Sequence, residues 1–488
     1  MDMKIVEEIF DAPKFPYEEG PREYQTAAYQ NWCKNDFQGI FAMATGTGKT
    51  ITALNCVLEE YIKSPKHVYH TLILAPTLTL VEQWAREAAR FNFTEIHTIS
   101  SKANWGNSIA TMLSTAKRIR RPFILISTYA SFIKNAFQSL LPHFPVDTIL
   151  IADEAHNLAA PQIVKKLANF PLSRRMGLSA TPKRIYDPEG TAEMEAFFND
   201  REPYTFSFSM EKAIKEEILC SYYYYPWIVR LHPLEMAEYT KISKKLANLY
   251  HLAKTNLDAG DTYEKLLLAR KRIIHKAQDK LPATIRLLKE HLSKEGTLKY
   301  TLVYVPEGRA FDITEEGIET VDENNMIIDQ YTREIGLLDE KVLVNRFVSG
   351  MTDREEILSQ FEKGLIDILV SMKCLDEGVD IPRAQMAIFC SSTGNPRQFI
   401  QRRGRILRKH TDKNYAVIHD LVVLPEYDIQ SEESNTHELE KSLVKKELER
   451  VMYFASLSRN PYYAEDVFAD VCRIYELNVY AIQKELAI

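Results

Sequence analysis

Ten residues, Phe41 to Thr50 (FAMATGTGKT), constrain this chain more than any other stretch: an apolar run ends in a glycine-bearing bend and leads into helix-like sequence. Glycines at such a bend let successive backbone N–H groups converge on phosphate oxygens. A lysine then reaches the outer phosphates and a hydroxyl serves the accompanying Mg²⁺. Gly46, Gly48, Lys49 and Thr50 supply these parts, with Thr45 and Thr47 in the same loop. Met43 stands where the general pattern has its first glycine. The motif alone is therefore defective, and a glycine-rich turn ahead of any helix is the competing reading. The surrounding pattern decides.

At 488 residues the chain exceeds what one core usually supports, so two domains with appendages are expected. A net charge of -6 argues against a protein that coats nucleic acid non-specifically and confines any such contact to a groove. No apolar run approaches the roughly 18 residues of a membrane span, and the acidic start MDMKIVEEIF is no signal peptide, so no membrane partner and a cytoplasmic location are expected. The 6 cysteines are scattered without a C-x-x-C pair and read as buried thiols.

After residue 40 short apolar runs alternate with helical segments. HTLILAPT, RPFILIST, VDTILIADEAH and RMGLSATP fall in the first half, and TLVYVPEG, LVNRFVSG, IDILVSM, QMAIFCSS and YAVIHDLV in the second. Such runs, bounded by turn residues, predict buried parallel strands in doubly wound sheets with ligands at the strands' carboxyl ends. Between the halves lies aromatic SYYYYPWIVRL followed by strongly helical sequence, which reads as a bridge. Glu307 to Asn325 is acidic and reads as a surface loop. The boundaries expected are 1–215 for a first α/β domain, 216–296 for the bridge, 297–425 for a second α/β domain and 426–488 for a helical C-terminal extension.

ILIADEAH sets Asp153 and Glu154 directly after a buried strand, about a hundred residues past the glycine loop. One carboxylate there can hold Mg²⁺ and its neighbour can polarise an attacking water. An acidic strand end facing solvent is the bland alternative, which the upstream loop and strand pattern make improbable.

AMATGTGKT, DEAH, SATP (Ser179 to Pro182), CLDEGVDIP (Cys374 to Pro382) and QFIQRRGRILR (Gln398 to Arg408) occur in the order and spacing of the superfamily 2 helicases and translocases. The chain resembles that family over about residues 20 to 415, and many of its members also lack the first glycine. The motif spellings are most similar to the xeroderma pigmentosum group B type helicases and the motor subunits of type I and type III restriction enzymes, less to the DEAD-box RNA helicases. The resemblance implies two RecA-like domains with ATP and Mg²⁺ in the cleft between them. It implies an adenine-reading role for Gln25, helped by Arg22; phosphate and metal contacts for Lys49 and Thr50; and roles as metal ligand and general base for Asp153 and Glu154. Ser179 and Thr181, with Gln401, resemble the elements that couple hydrolysis to movement. Asp380 resembles a ribose sensor, and Arg405 and Arg408 arginine fingers on the γ phosphate. Thr77, Thr128, Arg346, Ser349 and Gly350 match positions that grip a nucleic-acid backbone. Trp84 and Trp105 are candidates to stack on bases, though a tryptophan on an amphipathic helix is more often core, which is the choice made for Trp84. The basic clusters Lys117 to Arg121 and Arg270 to Lys276 are candidate groove linings, or solvated helix faces.

The function expected is that of an ATP-dependent DNA helicase or double-strand translocase in DNA repair, restriction or phage defence, with DNA favoured over RNA. A separate protein, such as a nuclease or modification subunit, is an expected partner. The rival from another class is an ATP-controlled switch subunit that clasps nucleic acid without unwinding it.

Overall fold

The computed structural model describes residues 12–99, 105–167, 170–183, 187–249, 257–306, 320–348, 351–372, 381–390, 396–426 and 434–486. Contacts divide the chain into a unit ending at Glu216 and one beginning at Glu217.

In the first unit the apolar runs are strands: β1 (Ile40–Met43), β2 (His70–Ala75), β3 (Ile96–Ile99), β4 (Phe123–Thr128), β5 (Ile149–Asp153), β6 (Arg174–Ser179) and β7 (Phe206–Phe208). They form one parallel sheet in the order β3-β4-β2-β5-β6-β1-β7. Every residue of β2, β4 and β5 is buried, which is why these strands read as continuous apolar runs and not as alternation. β3 and β7 escape the sequence pattern. β3 is a half-buried edge strand, and β7 has only 3 residues.

The second unit has the order β10-β11-β9-β12-β13-β8, again all parallel. Its strands are β8 (Ser221–Arg230), β9 (Thr301–Tyr304), β10 (Val344–Phe347), β11 (Ile368–Ser371), β12 (Met386–Phe389) and β13 (Tyr415–Leu424). The aromatic stretch expected as part of a bridge is thus β8, the edge strand of this sheet, paired with β13 along its whole length. The helices after it, Pro233–Leu249, Leu257–His275 and Lys280–Glu295, belong to the same unit. β8 alternates: Tyr222 and Tyr224 are buried, while Tyr223, Tyr225 and Trp227 are half-buried on the other face. Its outer edge is blunted by Pro226, which has no N–H, and by Asn460, whose amide bonds Tyr224 N at 2.8 Å and Tyr224 O at 2.9 Å.

The C-terminal extension is helical over Ser434–Ser456, Tyr463–Ile474 and Val479–Leu486. The first of these helices packs under the sheet, where Tyr222 Oη donates to the Phe454 carbonyl at 2.5 Å. The segment read as a surface loop turns helical from Thr320 (Thr320–Gly336), and its earlier part lies outside the described residues. No helix among the described residues is long and apolar enough to cross a membrane.

Candidate active site

Three neighbouring strands, β5, β6 and β1, end in the three motifs of the first unit. Their register pairs Ala42 with Ser179 and Asp153 with Leu178, so the glycine loop, the two carboxylates and the SATP segment leave the sheet at one level.

The loop after β1 bends at Gly46 and Gly48, both with positive φ (87° and 79°), which glycine adopts without the Cβ penalty. Gly48 caps the helix Lys49–Lys63, and the N-terminus of that helix is a natural anion site. The loop is braced from outside. Tyr24 stacks on Phe208 with centroids 4.3 Å apart and donates its hydroxyl to the Thr47 carbonyl at 2.7 Å. Thr47 Oγ1 donates to the Ala44 carbonyl at 2.7 Å. Gln25 is buried beside the loop, accepting from the Arg22 N–H at 2.9 Å and donating to Thr52 Oγ1 at 3.4 Å, while Arg22 is exposed at the N-cap of its helix. Thr45 Oγ1 is buried without a hydrogen-bond partner, and Thr50 is half-buried in the first turn of the helix.

At the end of β5, Glu154 adopts a left-handed conformation (φ 46°) that interrupts the strand's alternation. Both carboxylates then face the same lysine: Lys49 Nζ lies 4.0 Å from Glu154 Oε1, and its charge also acts on Asp153. Asp153 is held by the Trp84 indole N–H at 2.9 Å and the Glu154 backbone N–H at 2.9 Å, while Tyr129 donates to its carbonyl at 2.7 Å. Burial raises the pKa of Asp153, the Glu154 charge adds to the rise, and the Trp84 hydrogen bond and Lys49 oppose it. Glu154 Oε2 is buried without a hydrogen-bond partner, 3.5 Å from His156 Nδ1. His156 Nδ1 lies 3.3 Å from Ser179 Oγ, which accepts from the Thr181 N–H at 3.2 Å, so a polar chain runs from the carboxylates to SATP.

The second-unit motif forms the helix Pro396–Ile406. Gln401 and Arg408 are half-exposed, whereas Arg402, Arg403 and Arg405 are buried, so the basic sequence is mostly not a solvated face. Arg402 lies over Tyr304 (5.0 Å), and Arg403 lies over Phe454 (4.0 Å) and Tyr453 (4.9 Å) and donates to Tyr222 Oη at 3.2 Å. The C-terminal extension therefore backs this helix, through Arg450 over Phe399 (4.2 Å) as well. Asp380, Ser349 and Gly350 lie outside the described residues.

Of the remaining candidates, Thr77 and Thr128 are helix N-caps, accepting from Leu80 N at 3.4 Å and Ser131 N at 3.1 Å. Arg346 pairs with Asp329 at 2.7 Å. Arg120 pairs with Asp147 at 2.5 Å and Arg121 with Glu95, and Arg270 is buried, so these basic clusters are partly spent on local partners. Trp105 packs edge-on against Phe137. Trp84 is core, as expected, yet it also bonds Asp153. That role, like those of Tyr24 and Tyr129, carries no sequence signal, because each contact joins residues 23 to 69 positions apart.

A glycine loop, an adjacent carboxylate pair and a linked hydroxyl segment at the carboxyl end of a parallel sheet define a P-loop nucleoside triphosphatase, here with a second parallel-sheet unit downstream. Two family models match, "Type III restriction enzyme, res subunit" over residues 18–184 and "Helicase conserved C-terminal domain" over residues 309–410, between them more than half of the chain. A DNA 3'-5' translocase XPB2 of Sulfurisphaera tokodaii is 27% identical over 414 residues, covering 84% of either chain. The DNA 3'-5' helicase XPB of Mycobacterium tuberculosis is 24% identical over 84% of this chain, which spans 62% of that relative's length. Among solved structures, the ATP-dependent type ISP restriction-modification enzyme LlaBIII bound to DNA shares the fold, with a TM-score of 0.60 and 17% identity over 95% of this chain and 33% of that one. The chain belongs to the superfamily 2 helicases and translocases, in the branch of XPB-type helicases and restriction motors.

Proposed function

We propose that this chain is an ATP-driven motor that moves on DNA as a helicase or double-strand translocase. The observation that carries the reading is the convergence of Lys49, Asp153, Glu154 and Ser179 at the ends of three adjacent strands, with Lys49 Nζ 4.0 Å from Glu154. The relatives named as DNA helicases and translocases support DNA over RNA.

In this reading the loop from Thr45 to Gly48 cradles the ATP phosphates through its backbone, Lys49 neutralises the outer ones, and Gln25 with Arg22 reads the adenine. Mg²⁺ suits the donor types of Thr50 and Asp153, a hydroxyl and a buried carboxylate, and Glu154 Oε2 and Thr45 Oγ1 are buried without hydrogen-bond partners. When bound, Mg²⁺ supplies charge compensation to the phosphates. Glu154 accepts the proton of the attacking water, and Arg405 and Arg408 stabilise charge that grows on the γ phosphate. Ser179, Thr181 and Gln401 couple turnover to movement, Asp380 senses the ribose, and Thr77, Thr128, Arg346, Ser349 and Gly350 follow the DNA backbone. The res-subunit match and the restriction-type fold likeness support a role in restriction or phage defence beside a nuclease or modification subunit, and the XPB-type relatives support one in repair.

The test is steady-state ATP turnover at one salt concentration, without nucleic acid and then with single-stranded, duplex and branched DNA and with RNA. Stimulation by a DNA form is expected and selects the substrate for strand-displacement or translocation assays. Stimulation by RNA alone, or by none of them, rejects the DNA motor in favour of an RNA enzyme or the switch subunit respectively.

A further inference from the structure

Lys413 stands on the turn between the arginine helix and β13, 5% exposed, with its backbone N–H bonded to His410 O at 3.0 Å. Its ammonium donates to three carbonyls: Ile406 at 2.6 Å, Arg408 at 2.8 Å and Pro382 at 3.2 Å. An ammonium has three N–H donors, so the set is filled. Among the described residues no carboxylate forms an ion pair with it, and burial pulls its pKa down from the ordinary lysine range to about 8. A buried cation held only by carbonyls is expensive to keep. What it holds is therefore informative. Ile406 ends the arginine helix, where the last carbonyls lack intrahelical partners, Arg408 follows it in a β-bridge with Leu219, and Pro382 ends GVDIP.

We propose that Lys413 is a positioning residue for ATP hydrolysis, clamping the backbone that follows GVDIP to the backbone that carries Arg405 and Arg408. It touches neither nucleotide nor DNA. It keeps the two segments in one register, so that arginine groups acting in the transition state need no reorganisation at the moment of turnover. The inference rests on the roles proposed above for Arg405 and Arg408.

Lys280 is the natural control. It is also fully buried in this unit, and it donates to His275 O at 2.7 Å, away from either motif. The experiment compares Lys413→Met, Lys413→Gln, Lys280→Met, Arg405→Ala and Arg408→Ala in the full chain, measuring DNA-stimulated kcat, the KM for ATP and the melting temperature. Lys413→Met is expected to lower kcat about tenfold to a hundredfold, since small misplacements of catalytic groups have effects of this size, with KM within about twofold. Lys413→Gln, with two amide donors, should fall between it and wild type. Lys280→Met should lower the melting temperature comparably while leaving kcat intact. If Lys413→Met does not fold, Lys413→Gln carries the test with the same criterion. Wild-type kcat in the Lys413 variants beside inactive Arg405→Ala and Arg408→Ala overturns this inference alone, as does an equal loss of kcat in Lys280→Met. Unchanged turnover in both arginine variants overturns the finger reading and this inference with it.

Discussion

The two units each set a charged cluster on a parallel sheet, one within a strand and one at the strand ends, and they supply its cation in opposite ways. On β13, Asp420 is fully buried, and its Oδ2 accepts from Tyr224 Oη at 2.6 Å and from Arg450. Arg450 also turns Nε and Nη2 to Glu447 Oε2, at 3.1 and 2.9 Å. The chain supplies that cation itself and uses its whole fork. At the end of β5, two adjacent carboxylates share one lysine at the edge of ion-pair range. Each cluster leaves one carboxylate oxygen, Asp420 Oδ1 or Glu154 Oε2, without a hydrogen-bond partner, so the difference lies in the cation. A buried cluster whose cation is built in holds structure together. One left short of positive charge is a place for a ligand.

The comparison breaks most directly at Glu154. Glu154→Gln is expected to lower ATP turnover by about a hundredfold to ten-thousandfold, the range for losing a general base, while nucleotide binding and folding stay intact. Wild-type turnover would remove Glu154 from the chemistry. Arg450→Met should do the reverse to stability, lowering the unfolding free energy in denaturant by about 3–5 kcal/mol because Asp420 and Glu447 lose their shared partner. A loss below about 1 kcal/mol would mean that the pair is dispensable. Trp84→Phe removes the indole donor to Asp153 together with part of a buried ring. Its expected cost is about 1–3 kcal/mol for the hydrogen bond and packing lost at a buried carboxylate, with about a tenfold drop in turnover from loosening the proposed metal ligand. Equal kinetics in the two proteins would confine Trp84 to the core. The smallest effect is expected at Glu440 on the helix Ser434–Ser456, whose carboxyl is pushed up to about 7 by burial, with the Arg270 charge opposing. Since the folded pKa lies above the unfolded one, the native state holds this proton more tightly. The contribution is full below the ordinary carboxylate range and is lost as pH rises through about 7. Glu440→Gln should therefore raise the melting temperature by about 2–4 °C at pH 8 and barely change it at pH 5. A difference independent of pH would contradict the assignment.

Much of both sheets was legible because the signal is local. Buried parallel strands must be continuous apolar runs, and β2, β4, β5, β6, β9, β11 and β12 all follow such runs. The phosphate loop was legible because its backbone geometry demands particular residues at Gly46 and Gly48. β3 was not, because a half-exposed edge strand carries no continuous apolar run, and β7 was not, because it has only 3 residues. The place of β8 was hidden for another reason. Its alternation predicts an extended strand, but its partner β13 lies nearly two hundred residues on, and Tyr224 meets Asp420 across 196 positions.

Strand ends, the glycine loop and the carboxylates at the end of β5 are readable from the sequence alone, because those demands are met within a few residues. The fold alone shows that Trp84 bonds Asp153 across 69 positions, that Arg402, Arg403 and Arg405 are buried, and that Lys413 joins two motif backbones. Hydrogen bonds and ion pairs act over a few ångströms of space whatever the separation along the chain, so the partner of a buried charge is chosen only when the fold brings distant segments together.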